Sequence, residues 1–134
     1  MIIKVEHIGI AVENLQKANL LFAVLLGKEP YKMEEVSSEK VNTSFFQVGE
    51  IKVELLEGMA PDSAITKFLQ KKGEGIHHIA FEVPDIRLAM EALKDGGFQL
   101  LNDEPKKGAD NKLVCFIHPR SSHGVLVELC QSLG

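Results

Sequence analysis

Apolar and polar residues alternate along several short runs of this chain, and two of those runs begin with histidine. His7-Ile-Gly-Ile-Ala-Val12 and His78-Ile-Ala-Phe-Glu-Val83 carry the period of two that marks strands. Each leads into a helical period. Leu15, Ala18, Leu21, Phe22 and Leu25 follow the first run, and Ile86, Ala89, Met90 and Leu93 follow the second. Such spacings gather one apolar stripe on each helix for burial. Glycine comes next in both cases, at Gly27 and at Gly96-Gly97, as expected where a helix stops.

The two halves also end alike. Ile51-Lys-Val-Glu-Leu-Leu56 matches Val125-Leu-Val-Glu-Leu-Cys130. The leading histidines are offset by 78 − 7 = 71 residues and the glutamates by 128 − 54 = 74. Two landmarks recurring at nearly one period point to a duplicated unit. Further strands are expected at Tyr31–Val36 and Val41–Val48 in the first unit, and at Phe98–Asn102 and Leu113–His118 in the second. Each unit thus reads strand, helix, three strands. The predicted class is α+β: two tandem βαβββ modules, about 1–60 and 75–134, in one domain. A helix within 62–72 (Asp62–Gln70) links them, capped by Asp62 or Ser63, with Ile65, Phe68 and Leu69 facing inward. Pro105–Asn111, rich in Lys, Gly and Asp, is the segment expected to be disordered.

Strand side chains alternate between faces, so the register says what each face offers. In the first strand Ile8, Ile10 and Val12 form the bulky face that should meet the helix. His7 shares the other face with Gly9 and Ala11, residues too small to fill a core, which leaves that face open as a cleft. In the second module His77 falls with Ile79, Phe81 and Val83, whereas His78 falls with Ala80 and Glu82. His78 is therefore the counterpart of His7, and His77 a structural residue. Glu54 lies opposite Ile51, Val53 and Leu55, and Glu128 opposite Val125, Val127 and Leu129. A carboxylate in so apolar a strand is expensive to bury unless it is paired or binds a metal.

Composition narrows the function classes. The chain has 134 residues, 45% hydrophobic and 25% charged, with net charge −4. That supports a real core and argues against a nucleic-acid footprint. Lys106 and Lys107, with Lys112 and Arg120 nearby, read as a solvated loop or as a landing site for phosphates. The two cysteines, Cys115 and Cys130, sit in apolar strands and read as buried thiols in a reducing compartment. No apolar run approaches the roughly 18 residues of a membrane span, and the start lacks a signal-peptide layout. A soluble, cytoplasmic protein is expected, with no membrane or nucleic-acid partner.

One His and one Glu per repeat together suggest a shared metal site of two imidazoles and two carboxylates. That donor set suits a divalent ion such as cobalt, manganese, nickel or zinc, and not a structural thiolate zinc site. A cation so held can polarise a carbonyl, and a carboxylate beside it can move a proton on carbon. No glycine-rich phosphate or dinucleotide motif accompanies it.

This arrangement resembles the vicinal-oxygen-chelate superfamily, over nearly the whole chain. The resemblance implies a curved, open mixed sheet with helices on its outer face, and His7, Glu54, His78 and Glu128 as ligands of one ion. Finer motifs resemble the methylmalonyl-CoA epimerase family: Val5-Glu-His-Ile-Gly-Ile-Ala-Val12, Gly75-Ile-His-His-Ile79, Asp103-Glu-Pro-Lys106, and above all Phe116-Ile-His-Pro-Arg120 followed by Gly124-Val-Leu-Val-Glu-Leu129. That implies interconversion of the epimers of methylmalonyl-CoA at carbon two through an enolate, with Glu128 as the proton-transfer group. It also implies an acyl-CoA substrate and a homodimer. His118 reads either as a turn residue or as a substrate contact; Lys106 and Arg120 are the further substrate-binding candidates. Two departures from the family stand out. Some of its members carry glutamine where this chain has Glu54, and one form carries a second catalytic glutamate where this chain has Thr43.

Three other readings share the fold. Glyoxalase I also uses a glutamate at the Glu54 position, but the motifs at Asp103 and His118 favour the epimerase. A non-catalytic protein that sequesters small molecules would not need all four ligands. An extradiol dioxygenase would use two histidines and one glutamate.

Overall fold

The structure is a computed structural model that describes residues 1–134. It contains β1 (Lys4–Ala11), α1 (Leu15–Leu26), β2 (Lys32–Val36), β3 (Val41–Val48), β4 (Ile51–Gly58), α2 (Ala64–Lys72), β5 (Gly75–Glu82), α3 (Ile86–Asp95), β6 (Lys106–Lys107), β7 (Lys112–Ile117) and β8 (Val127–Ser132). The class is α+β, and the βαβββ order occurs twice. No helix is long and apolar enough to cross a membrane. The chain divides into two compact units, His7–His77 and Met1–Glu6 with His78–Gly134, so β1 begins in one and ends in the other.

In the unit His7–His77 the strand order is β2-β3-β4-β1. β1 and β4 run parallel, and the other pairs are antiparallel. α1 covers one face of these strands. Val12, Leu15, Phe46 and Leu55 form the core there, with Ile10, Ala18, Phe22 and Leu26 packed on it. The predicted stripe of α1 is thus only half right. Leu15, Ala18 and Phe22 face the sheet, but Leu21 and Leu25 are exposed. The helix is apolar nearly all round, so periodicity alone could not choose its inner side. Gly27, at φ 73°, ends it in the left-handed conformation that favours glycine.

The linking helix is capped by Ser63, without a side-chain bond. Asp62 instead pairs with Lys40, which holds its carboxyl below the usual value. Ile65 is buried, and Phe68 meets the edge of His77 at 4.9 Å between ring centres. Gly58, at the end of β4, sits under this helix. A methyl group there would lie 2.1 Å from Thr66 Oγ1 and 3.0 Å from the Thr66 backbone nitrogen. Gly58→Ala is therefore expected to destabilise the protein by about 1–3 kcal/mol, measured by urea unfolding.

In the other unit the order is β5-β8-β7-β6, with β5 and β8 parallel. α3 packs over Val83, Ile86, Ala89, Met90, Cys115, Ile117 and Leu129. The strand expected at Phe98–Asn102 does not form. Leu100 makes an isolated bridge to Ile117, and the Asn102 side chain accepts the Phe116 N–H that a strand carbonyl would otherwise take. The outer strand is instead Lys106–Lys107, inside the segment expected to be disordered. It pairs with β7 across a turn in which Asp110 and Asn111 both take positive φ. These residue types tolerate that conformation better than most, which is why a polar run reads equally as disorder or as a tight hairpin.

The two helices are anchored by the same device. Asn14 caps α1 and Asp85 caps α3, each accepting from the backbone N–H three residues on. A second acceptor comes from the last strand of each module. Glu57 takes the Leu15 N–H at 3.0 Å, and Gln131 takes the Ile86 N–H at 2.9 Å. Glu57 and Gln131 each lie three residues after the glutamate of interest, on the opposite face of the strand. The helix start is thus tied to the register that aims Glu54 and Glu128.

Candidate metal centre

Each unit builds a buried His–Glu pair in the same way. In the first, His7 Nδ1 lies 3.1 Å from Glu54 Oε2. In the second, His78 Nε2 lies 3.0 Å from Glu128 Oε1. All four side chains are buried. The parallel pairing of first and last strand explains the match. Gly9 is the cross-strand partner of Glu54, and Ala80 that of Glu128. A large side chain at either place would crowd the carboxylate. On its other flank Glu54 pairs with Phe45, and Glu128 with Phe116. Phe116 also meets the His78 ring edge-on at 5.8 Å, and Lys32 Nζ lies over the Phe45 ring at 5.1 Å. Sequence reasoning missed the two phenylalanines, although 116 − 45 = 71 repeats the histidine offset.

The donor chemistry fits a divalent cation. Each unit offers one imidazole nitrogen and one carboxylate, buried and already adjacent, with small residues beneath. A buried carboxylate and imidazole without a cation must share a proton to avoid an isolated charge. His77 is half-buried against Phe68 and lies on the opposite strand face from His78.

The cysteines offer nothing to such a site. Burial pushes the thiols of both Cys115 and Cys130 upward, and Glu128 and Glu6 add to the effect at Cys130. A thiol held protonated is neither a ready ligand nor a nucleophile. Iodoacetamide at pH 8 is expected to leave both untouched in the folded protein and to modify both after unfolding, as read by intact-mass spectrometry.

The substrate-binding candidates occupy different settings. Lys106 pairs with Val114, which pairs with Cys130, so it stands on the same face as Glu128. His118 is half-buried at the end of β7, and its Nδ1 accepts the Arg120 N–H at 3.0 Å, capping the 3-10 turn Pro119–Ser122. That bond leaves Nε2 as the protonated nitrogen. Arg120 is exposed on the turn itself. Lys112 is not part of a solvated patch: it is buried, donates to Ser132 Oγ at 3.0 Å and lies 3.9 Å from Glu6. Glu6 is a buried acid that sequence reasoning passed over, since its parity with Ile8 and Ile10 hid it.

Thr43 is buried, and its hydroxyl has no hydrogen-bond partner. The pairing of β2 with β3 sets Glu34 directly across from it, on the face that carries His7 and Glu54. Glu34 is half-exposed and pairs with Lys32 at 3.4 Å. A cavity of about 650 Å³ is lined by Asn14, Asn19, Glu34, Asn42, Thr43 and Glu57.

Known proteins share this fold. The chain is 43% identical over 131 residues to the uncharacterised protein YqjC of Bacillus subtilis, covering 98% of this chain and 94% of that one. It is 39% identical over 133 residues to the ethylmalonyl-CoA/methylmalonyl-CoA epimerase of Cereibacter sphaeroides, covering 98% and 99%. A variant of the Streptomyces coelicolor methylmalonyl-CoA epimerase, in complex with 2-nitronate-propionyl-CoA, superposes with a TM-score of 0.96 at 33% identity over 100% of both chains. Residues 6–116 match the family described as Glyoxalase/Bleomycin resistance protein/Dioxygenase superfamily. With the βαβββ order occurring twice and this match spanning most of its length, the chain belongs to that superfamily.

Proposed function

We propose that the protein is a methylmalonyl-CoA epimerase in which His7, Glu54, His78 and Glu128 together hold one divalent cation. The observation that carries this reading is the repeated buried His–Glu pair, each set between a small residue and a phenylalanine. Relatives named as epimerases of this substrate, at 39% identity over nearly the full chain, support the choice of reaction. Cobalt, manganese, nickel and zinc all suit such nitrogen and oxygen donors. When bound, a cation of this kind supplies polarisation of the thioester carbonyl, which lowers the energy of an enolate.

The protein's own groups do the rest. Glu128 exchanges the proton of carbon two from one face of the substrate, and inversion requires a second group to deliver a proton to the opposite face of the enolate. One oxygen of Glu128 lies 3.0 Å from His78 Nε2. Phe116 and Phe45 keep water from the carboxylates, so the proton meets few competitors. Lys106, His118 and Arg120 bind the anionic parts of the substrate, its free carboxylate and the phosphates of coenzyme A.

Incubation with methylmalonyl-CoA in deuterated water tests this directly. Deuterium is expected at carbon two, with exchange lost on chelation and restored by cobalt. Turnover of the glutathione–methylglyoxal hemithioacetal without exchange into methylmalonyl-CoA would instead establish glyoxalase chemistry.

A further inference from the structure

Strand pairing within the unit His7–His77 fixes which side chains share the face of His7 and Glu54. β3 adds Thr43 and Phe45 to it, and β2 adds Lys32 and Glu34. Glu34 is the only other carboxylate on that face of the four strands. Thr43, directly across from it, is 1% exposed, and its hydroxyl makes no hydrogen bond. A buried hydroxyl left unpaired costs about 1–3 kcal/mol, which a ligand oxygen beside Glu34 would recover. Lys32 Nζ lies 3.4 Å from Glu34 Oε1 and 5.1 Å from the centre of the Phe45 ring, so the acid is tethered to the ring beside Glu54. The second module is an internal control. Val114 stands where Thr43 stands, 114 − 43 = 71 residues on, and Lys106 pairs with it as Glu34 pairs with Thr43. The fold thus accepts an apolar side chain and a cation at these places, and requires neither the hydroxyl nor the acid.

We propose that Glu34 is the second proton-transfer group, serving the enolate face opposite to that of Glu128; this rests on the epimerase reading. As Glu128 takes the proton of carbon two, the C–H bond breaks and its electron pair passes into the enolate. The Glu34 carboxyl then gives its proton to the other face. Its O–H bond breaks, and the enolate pair forms the new C–H bond. One carboxylate has become an acid and one acid a carboxylate, so charge balances, and exchange with water resets both. The opposite epimer uses the two groups in reverse order. Glu34 suits the part because its side chain is 31% exposed and can draw its proton from water. The other ionisable groups on that face fit less well. His7 is taken up by Glu54 at 3.1 Å. Lys32 and Lys52 remain, but a lysine ammonium at neutral pH gives a proton and does not take one, whereas this reaction runs both ways.

The test incubates the cobalt-loaded protein with each pure epimer of methylmalonyl-CoA in deuterated water and follows inversion and deuterium uptake separately. The wild type is expected to invert both epimers, with deuterium in the inverted product. Glu34→Gln is expected to slow inversion about 100-fold or more, while one epimer, the one whose proton Glu128 takes, still exchanges within about tenfold of wild type and the other does not. Glu128→Gln cannot give the mirror pattern, because that residue is also a proposed cation ligand. Glu34→Asp is expected to recover inversion by about tenfold over Glu34→Gln. Glu35→Gln, one residue on and on the opposite strand face, is expected to match the wild type. Wild-type inversion in Glu34→Gln overturns the proposal. So does equal loss of exchange from both epimers, which marks a structural role. No exchange by the wild type with either epimer removes the epimerase reading itself, and the proposal with it.

Discussion

Glu128→Gln should cut deuterium exchange into methylmalonyl-CoA by about a thousandfold or more while leaving the protein folded. A positioned general base contributes about 10²–10⁴-fold, and an amide cannot accept the proton. The replacement has the same shape. Its carbonyl oxygen can still accept from His78 Nε2, now 3.0 Å from the carboxylate, so the strand pairing and the buried ring stay in place. Glu54→Gln is the contrast. Some epimerases of the resembling family carry glutamine there, and exchange is expected to stay within about tenfold of wild type. Near-normal exchange in Glu128→Gln would remove that residue from the mechanism.

The adjacent histidines should part ways just as sharply. His78→Asn is expected to weaken metal binding on the order of 100-fold or more, and to lose activity with it. Its effect on the melting temperature of the metal-free protein should be small, because the amide can still reach Glu128. His77→Asn should leave metal content unchanged and lower stability by about 1 kcal/mol, through loss of the edge contact with Phe68. The two residues are neighbours in sequence, so a general disturbance of β5 would affect both properties in both variants. The opposite pattern would mean that the strand faces are assigned one residue out of step.

Much of this was legible in the sequence because strands have a period of two. The alternation that set Ile10 and Val12 apart from His7 and Gly9 reappears in the core under α1 and in the buried His7–Glu54 pair. The repeat did more than either module could alone, since it turned four isolated polar residues into a pattern. What the sequence could not decide has physical causes. α1 is apolar over most of its surface, so its inner face was ambiguous at Leu21 and Leu25. At Phe98–Asn102 a side chain does the work of a backbone carbonyl, and no periodicity reports that. Lys112 and Glu6 are charged residues drawn into the interior by their neighbours, against their usual preference. Phe45 and Phe116 carry no polar group that a sequence reading would single out, and only the strand pairing sets them beside the glutamates.

The account rests on both His–Glu pairs serving a single cation. Calorimetric titration of chelator-stripped protein with cobalt examines that most directly. One ion per chain is predicted, with tight binding lost in His7→Asn and lost equally in His78→Asn. Two independent ions per chain, or wild-type affinity in either variant, would contradict it.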